Sequence, residues 1–192
     1  MMREPQTDMF RQREKSLEEA FFKDRDRQLM EKMRNELSSL EEKRKLAHVT
    51  GIVEERVLQN LVKAGVKAET LAAVSLIPLV EVAWCDGSVS PEERDAVLNA
   101  ASHQGVHPGT APYELLQTWL KERPDLHIIT AWKDYVRELA RIMPKETIDE
   151  MGKHLIDRCK RVAESAGGFL GLATISKHEQ AKIDEFAKVW QG

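Results

Sequence analysis

Three carboxylates close together in the chain, Asp86, Glu92 and Glu93, are the side chains whose type and spacing come nearest to chemistry. They sit in the run from Ala83 to Arg94, Ala-Trp-Cys-Asp-Gly-Ser-Val-Ser-Pro-Glu-Glu-Arg. Hard divalent cations such as calcium take several carboxylate oxygens at once, and oxygens from a turn and a helix start can converge in that way. The same residues also build a helix entry without any metal. Gly87 supplies a tight turn, Ser90 is an N-cap, and Pro91 occupies the first helical position. Glu92 and Glu93 then face the positive end of the helix dipole, and Glu93 completes a capping box with Ser90. The EF-hand pattern fails here, because Gly87 falls at its second position and Val97 where the last ligand belongs.

Other reactive side chains are scattered. Cys85 adjoins Asp86, a neighbour that raises a thiol pKa and suppresses its thiolate. Cys159 lies on an apolar helical stripe and reads as core. Two cysteines make neither a disulfide framework nor a zinc spacing, and they fit a reducing compartment. His178-Glu179 opens like a zinc-protease helix, but Lys182 and Ile183 stand where a second His is needed. Gly167-Gly168 lacks the Lys-Ser/Thr partner of a phosphate loop. No positioned acid, base or open metal site is visible, so a non-catalytic protein is expected. The four tryptophans, at 84, 119, 132 and 190, fall on helical stripes and read as core rather than as a stacking platform.

Charge narrows the partners. Formal net charge is −3, so there is no general field to recruit nucleic acid or an anionic membrane. The N-terminal basic residues alternate with acids, which also argues against nucleic acid. The most apolar run, Leu71 to Cys85, is interrupted by Pro78 and Glu81 and is too short to span a bilayer. The first eight residues are polar, unlike a signal peptide. A cytoplasmic protein with no direct membrane insertion is expected.

The elements that must position these residues are helical throughout. Of the first 45 residues 23 are charged, against 38 of the remaining 147. Within that charged stretch Phe10, Leu17, Phe21, Phe22, Leu29, Met33, Leu37 and Leu40 form one apolar stripe, so a long amphipathic helix is expected. So charged a helix gains little from a core of its own, which leaves three expectations open: it docks on a partner surface, stays mobile, or packs on its own domain. Downstream, Val53, Val57, Leu58, Leu61 and Val62 predict a short helix stopped at Gly65. A helix from about Thr70 to Trp84 is expected to kink at Pro78. Helices follow from Ser90 to near Gly105 and from Tyr113 to Lys121. Two more follow from the periodic sets Ile128, Trp132, Tyr135, Leu139, Ile142 and Ile148, Met151, Leu155, Cys159, Val162. A faint repeat aligns Val89-Ser90-Pro91-Glu92-Glu93 with Ile175-Ser176-Lys177-His178-Glu179. Both copies carry capping-box spacing, but Leu172-Ala173 replaces Asp86-Gly87 in the second.

The apolar helix, the Asp86-Gly87 turn and the Ser90-Pro91-Glu92-Glu93 helix start resemble the signature of the TerB-like (tellurite-resistance-associated) helical family. The resemblance covers roughly Leu46 to Trp190. Behind the charged helical arm over 1–45 it implies an all-α architecture, a compact domain of about six to eight helices over residues 46–192. It also implies a non-enzymatic module of stress-response or envelope-linked assemblies, and Asp86, Glu92 and Glu93 as ligands of a divalent cation. A second resemblance covers Phe10 to Val66. Arg13-Glu14-Lys15, Phe21 or Phe22, Asp24, Arg34-Asn35, Thr50-Gly51 and Val62-Lys63-Ala64 look like the bacterial ATP synthase inhibitor (zeta) family. That likeness implies a segment near Met9 to Leu29 inserting into a rotary ATPase interface, although the domain that follows is larger than that family's usual short chain. Both resemblances imply a protein partner. The residues expected to contact it are Phe10, Arg13, Glu14, Lys15, Leu17, Phe21 and Leu29. Oligomeric state stays open.

Overall fold

The computed structural model describes the backbone of residues 5–166 and 175–191, with side chains in those ranges from residue 21 onward, Phe22 excepted. Among the described residues every regular element is helical, so the fold is all-α. The chain forms two compact units, Met1–Glu42 and Lys43–Gly192.

Helix α1, Pro5–Thr50, accounts for the described part of the first unit and enters the second. Its Glu, Lys, Arg, Leu and Met content favours helix even without a core. Side-chain pairs one turn apart add a few tenths of a kcal/mol each: Arg27 with Asp24, Gln28 Nε2 to Asp24 Oδ2 at 2.8 Å, and Lys32 with Glu36 at 4.0 Å. The helix ends where Thr50 turns on its own backbone. Its Oγ1 donates to Leu46 carbonyl at 2.7 Å and accepts from the Ile52 amide at 3.1 Å.

The second unit is built around α4, Ile77–Ala83, all seven of whose residues are buried. Helices α5 (Pro91–Ser102), α8 (Lys145–Ala166) and α9 (Lys177–Trp190) pack against it. Around them α2 (Glu55–Lys63) packs on α7 (Leu126–Ile142), and α3 (Leu71–Val74) on α6 (Ala111–Lys121). Each buried Leu, Ile, Val or Phe contributes about 1.5–3 kcal/mol by leaving water. Within the aromatic part of the core, Trp132 meets Phe186 edge-on at 5.3 Å between centroids.

Four expectations need correction. The helix foreseen from Thr70 to Trp84 is not merely kinked. It is two helices, α3 and α4, with a break at Ser75-Leu76 and Pro78 in the first turn of α4. Proline has no N–H to donate and its ring collides with the carbonyl four residues back, so the chain restarts a helix instead of bending one. Val53 lies before α2 and is 85% exposed. Ile142, the last residue of α7, and Met151 in α8 are exposed although their spacing matched the buried stripes.

Gly152 sits in the middle of α8, where glycine costs about 1 kcal/mol relative to alanine. The reason is the close approach of Trp190: a Cβ at this position would stand 2.9 Å from both Cβ and Cγ of Trp190. Forcing a methyl into such a contact costs about 1–3 kcal/mol, which outweighs the helix-propensity gain. Gly152→Ala is therefore expected to lower the urea midpoint despite the better helix former. A raised midpoint would show that α9 yields freely at its end.

Candidate functional site

The Asp86 turn forms at the end of α4. Gly87 adopts φ +93°, a conformation other residues reach only with strain, and its amide donates to Trp84 carbonyl at 3.0 Å. Asp86 Oδ1 accepts from the Ser88 amide at 3.1 Å, closing a local Asx turn. Ser90 then caps α5. Its Oγ accepts from the Glu93 amide at 3.2 Å, while Glu93 Oε2 accepts from Ser90 N at 2.8 Å and Ser90 Oγ at 2.9 Å. Ser176 and Glu179 reproduce the box at the start of α9, with Ser176 N to Glu179 Oε2 at 2.6 Å and Glu179 N to Ser176 Oγ at 3.2 Å. In both copies the fourth residue after the box, Val97 or Ile183, is buried. The repeat is thus a repeat of helix entries. Leu172-Ala173 and Gly167-Gly168 lie outside the described residues.

The three carboxylates of the expected cation site have different surroundings. Asp86 and Glu92 are exposed, whereas Glu93 is buried and committed to its cap. Among the described residues no three His, Cys, Asp or Glu side chains are grouped so as to hold a metal ion. Burial pushes the Glu93 carboxyl above its ordinary range, with Ser90 hydrogen bonds opposing and nearby Asp86 and Glu179 adding to the rise. A carboxyl raised in the fold stabilises below its unfolded pKa, and that contribution is lost as pH rises through the folded value. Glu93→Gln keeps an acceptor for Ser90 but cannot titrate. Wild type is therefore expected to lose stability relative to Glu93→Gln as pH rises from the ordinary carboxylate range into the raised one. Urea melts at a series of pH values would show it, and a difference that does not change with pH would refute it.

Cys85 is half-buried at the end of α4, with Sγ 3.5 Å from Glu81 carbonyl and 4.0 Å from His178 carbonyl. Burial, more than the neighbouring carboxylates, pushes its thiol up to about 11, so it is a thiol and not a nucleophile at neutral pH. Cys159 is wholly buried and pushed up to about 12. Trp119 and Trp132 are buried, while Trp84 and Trp190 are half-buried against the core. Trp84 Nε1 donates to Trp119 carbonyl at 2.8 Å.

Among the expected partner contacts, the side chains of Phe10, Arg13, Glu14, Lys15 and Leu17 lie outside the described residues. Phe21 and Leu29 are exposed, and so are Met30, Met33, Leu37 and Leu40 further along α1.

Sequence reasoning noted Glu81 only as a break in an apolar run and missed its burial and its pairing. Glu81, in the middle of buried α4, is 1% exposed and takes a forked pair from Arg123, with Nε to Oε1 at 3.2 Å and Nη2 to Oε2 at 2.8 Å. A carboxylate inside an apolar run signals that some partner must exist. Nothing local identifies it as Arg123.

No protein-family model matches the chain, and no curated protein or solved structure does.

Proposed function

We propose that the chain is a non-catalytic cytoplasmic interaction module of the TerB-like type, working in a stress-response or envelope-linked assembly. Its charged N-terminal helix docks into a groove on a protein partner. The observation that carries this reading is on α1, where Leu29, Met33, Leu37 and Leu40 follow at intervals of four, four and three residues and are all exposed, with Phe21 and Met30 exposed beside them. Phe21 and Leu37 are 63% and 65% exposed. Isolated exposed apolar residues are ordinary, but a series at helical spacing on one charged helix is the form of an amphipathic docking helix. The Asp86 turn is a second contact surface. Among the described residues no helix is long and apolar enough to cross a membrane.

The test is affinity capture from the native lysate, with the full chain compared against a Leu29→Asp, Leu37→Asp variant. The wild type is expected to retain a specific protein that the variant loses, while the tryptophan fluorescence of the Lys43–Gly192 unit stays unchanged. Equal retention by both chains would sink the arm as a docking element. Recovery of ATP synthase subunits by the wild type alone would select the second reading, regulation of the rotary ATPase by α1. That reading draws its support from the long charged helix over the segment resembling the inhibitor family. It also requires that the intact chain slow ATP hydrolysis by the purified enzyme.

A further inference from the structure

The Lys43–Gly192 unit contains a cavity of about 210 Å³ among α7, α8 and α9, walled by Trp132, Tyr135, Leu139, Met151, Leu155 and Trp190. An engineered apolar cavity of about 150 Å³ takes up benzene. The space here therefore suits one aromatic ring with a short substituent. Aromatic walls favour a ring in edge-to-face or offset contact, and a methionine adapts its thioether to the ring edge.

One side of this cavity is polar. Ser75, Gln104, His154 and Arg158 line it. Ser75 Oγ donates to Gln104 Oε1 at 3.2 Å. His154 and Arg158 also line an adjoining hollow of about 450 Å³, together with Asn99, His103, Asp157 and Arg161. Positions 154, 158 and 161 are four and three residues apart on α8, so they share one helix face. His154 approaches Glu150 at 3.6 Å, and Asp157 is the carboxylate on the wall of the hollow.

Arg158 decides the ligand class. It is half-buried, and among the described residues neither it nor Arg161 has a hydrogen-bond or ion-pair partner. Lys133 and Lys182, also partly buried, are paired with Glu185, whereas Arg94 and Lys160 have no partner among the described residues but do not line this cavity. A guanidinium drawn partly out of water without an acceptor costs free energy that a carboxylate recovers through a forked contact. Trp190 Nε1 is sealed from water without an acceptor among the described residues, so recognition in this geometry rests on Arg158 and the ring faces.

We propose that this cavity binds a small aromatic carboxylic acid. Its ring lies among Trp132, Tyr135 and Trp190, and its carboxylate meets Arg158, with Arg161 adding positive potential behind it. The proposal is independent of the docking role of α1.

The experiment is calorimetric titration of the full chain with phenylpropionate and with its neutral analogue phenylpropanol, alongside the indole N–H signals in NMR spectra. The acid is expected to bind and to shift those signals, with the alcohol at least about tenfold weaker. Arg158→Gln should weaken the acid by about ten- to a hundredfold, the worth of a charge-assisted hydrogen bond, and leave the alcohol unchanged. Leu139→Trp, which fills the cavity, should abolish both. If Arg158→Gln fails to fold by circular dichroism, Arg161→Gln and added salt take its place, and each should weaken the acid alone. No binding of the acid at millimolar concentration overturns the proposal. So does equal binding of acid and alcohol, or an affinity for the acid that none of these changes moves.

Discussion

Arg123→Ala is expected to destabilise the Lys43–Gly192 unit by about 3 kcal/mol, the low end of what breaking a buried ion pair costs. The loss comes less from the attraction removed than from the carboxylate left behind. Glu81 is held inside α4, a helix with no exposed residue, and both its oxygens point to one guanidinium. Without Arg123 the carboxylate must stay charged in an apolar setting, take up a proton, or drag the helix toward water. The Arg123 side chain is 47% exposed, so water screens the pair from one end and the upper end of the range is not expected. Replacing Glu81 as well removes the stranded charge, either as Glu81→Leu with Arg123→Ala or with both positions changed to Leu. The double variant Glu81→Leu, Arg123→Leu should therefore recover most of the loss, because apolar replacement of a whole buried pair is often nearly neutral. Urea unfolding followed by tryptophan fluorescence gives all three values. A cost below about 1 kcal/mol for Arg123→Ala would mean that Glu81 is solvated by a route other than this pair.

The same pair marks where reading the chain ran out. Features set by neighbours in sequence were legible. The Ser90–Glu93 and Ser176–Glu179 boxes are four-residue patterns, and both are formed. Periods of three and four residues located α7 and α8, because burial on one face imposes that spacing. Where the pattern reached helix ends or half-covered faces it overshot, and Val53, Ile142 and Met151 turned out exposed. The break before Pro78 was underestimated because a kink and a restart begin from the same missing amide. Partners across the fold were not legible at all. Arg123 is 42 residues from Glu81, and Trp190 meets Gly152 only because α8 and α9 pack together. The candidate cation site fell between these cases. Its turn and cap are local and were foreseen, but whether Asp86, Glu92 and Glu93 converge depends on packing that no spacing encodes.

Phe186→Ala is expected to cost about 3–5 kcal/mol, the range for emptying a large aromatic site in a close-packed core. Phe186 has no exposed surface, and its ring stands at 88° to that of Trp132, an edge-to-face contact that adds to the burial itself. Lys182, one turn earlier on α9, lies 5.9 Å from the ring centroid and is also tied to Glu185, so it contributes little further at the surface. The residue matters because of what α9 joins. That helix packs against α4, α7 and α8, and it starts with the second capping box. A cavity at Phe186 loosens the hold of α9 on the core, and the cap at Ser176, worth about 1 kcal/mol, cannot compensate. Phe186→Leu retains most of the volume and should cost roughly half as much. All four tryptophans lie in the Lys43–Gly192 unit, so their fluorescence reports this loss without interference from the helix of the first unit. If Phe186→Ala unfolded at the wild-type urea concentration, α9 would not belong to the cooperative core, and the two helix entries would differ in rank as well as in sequence.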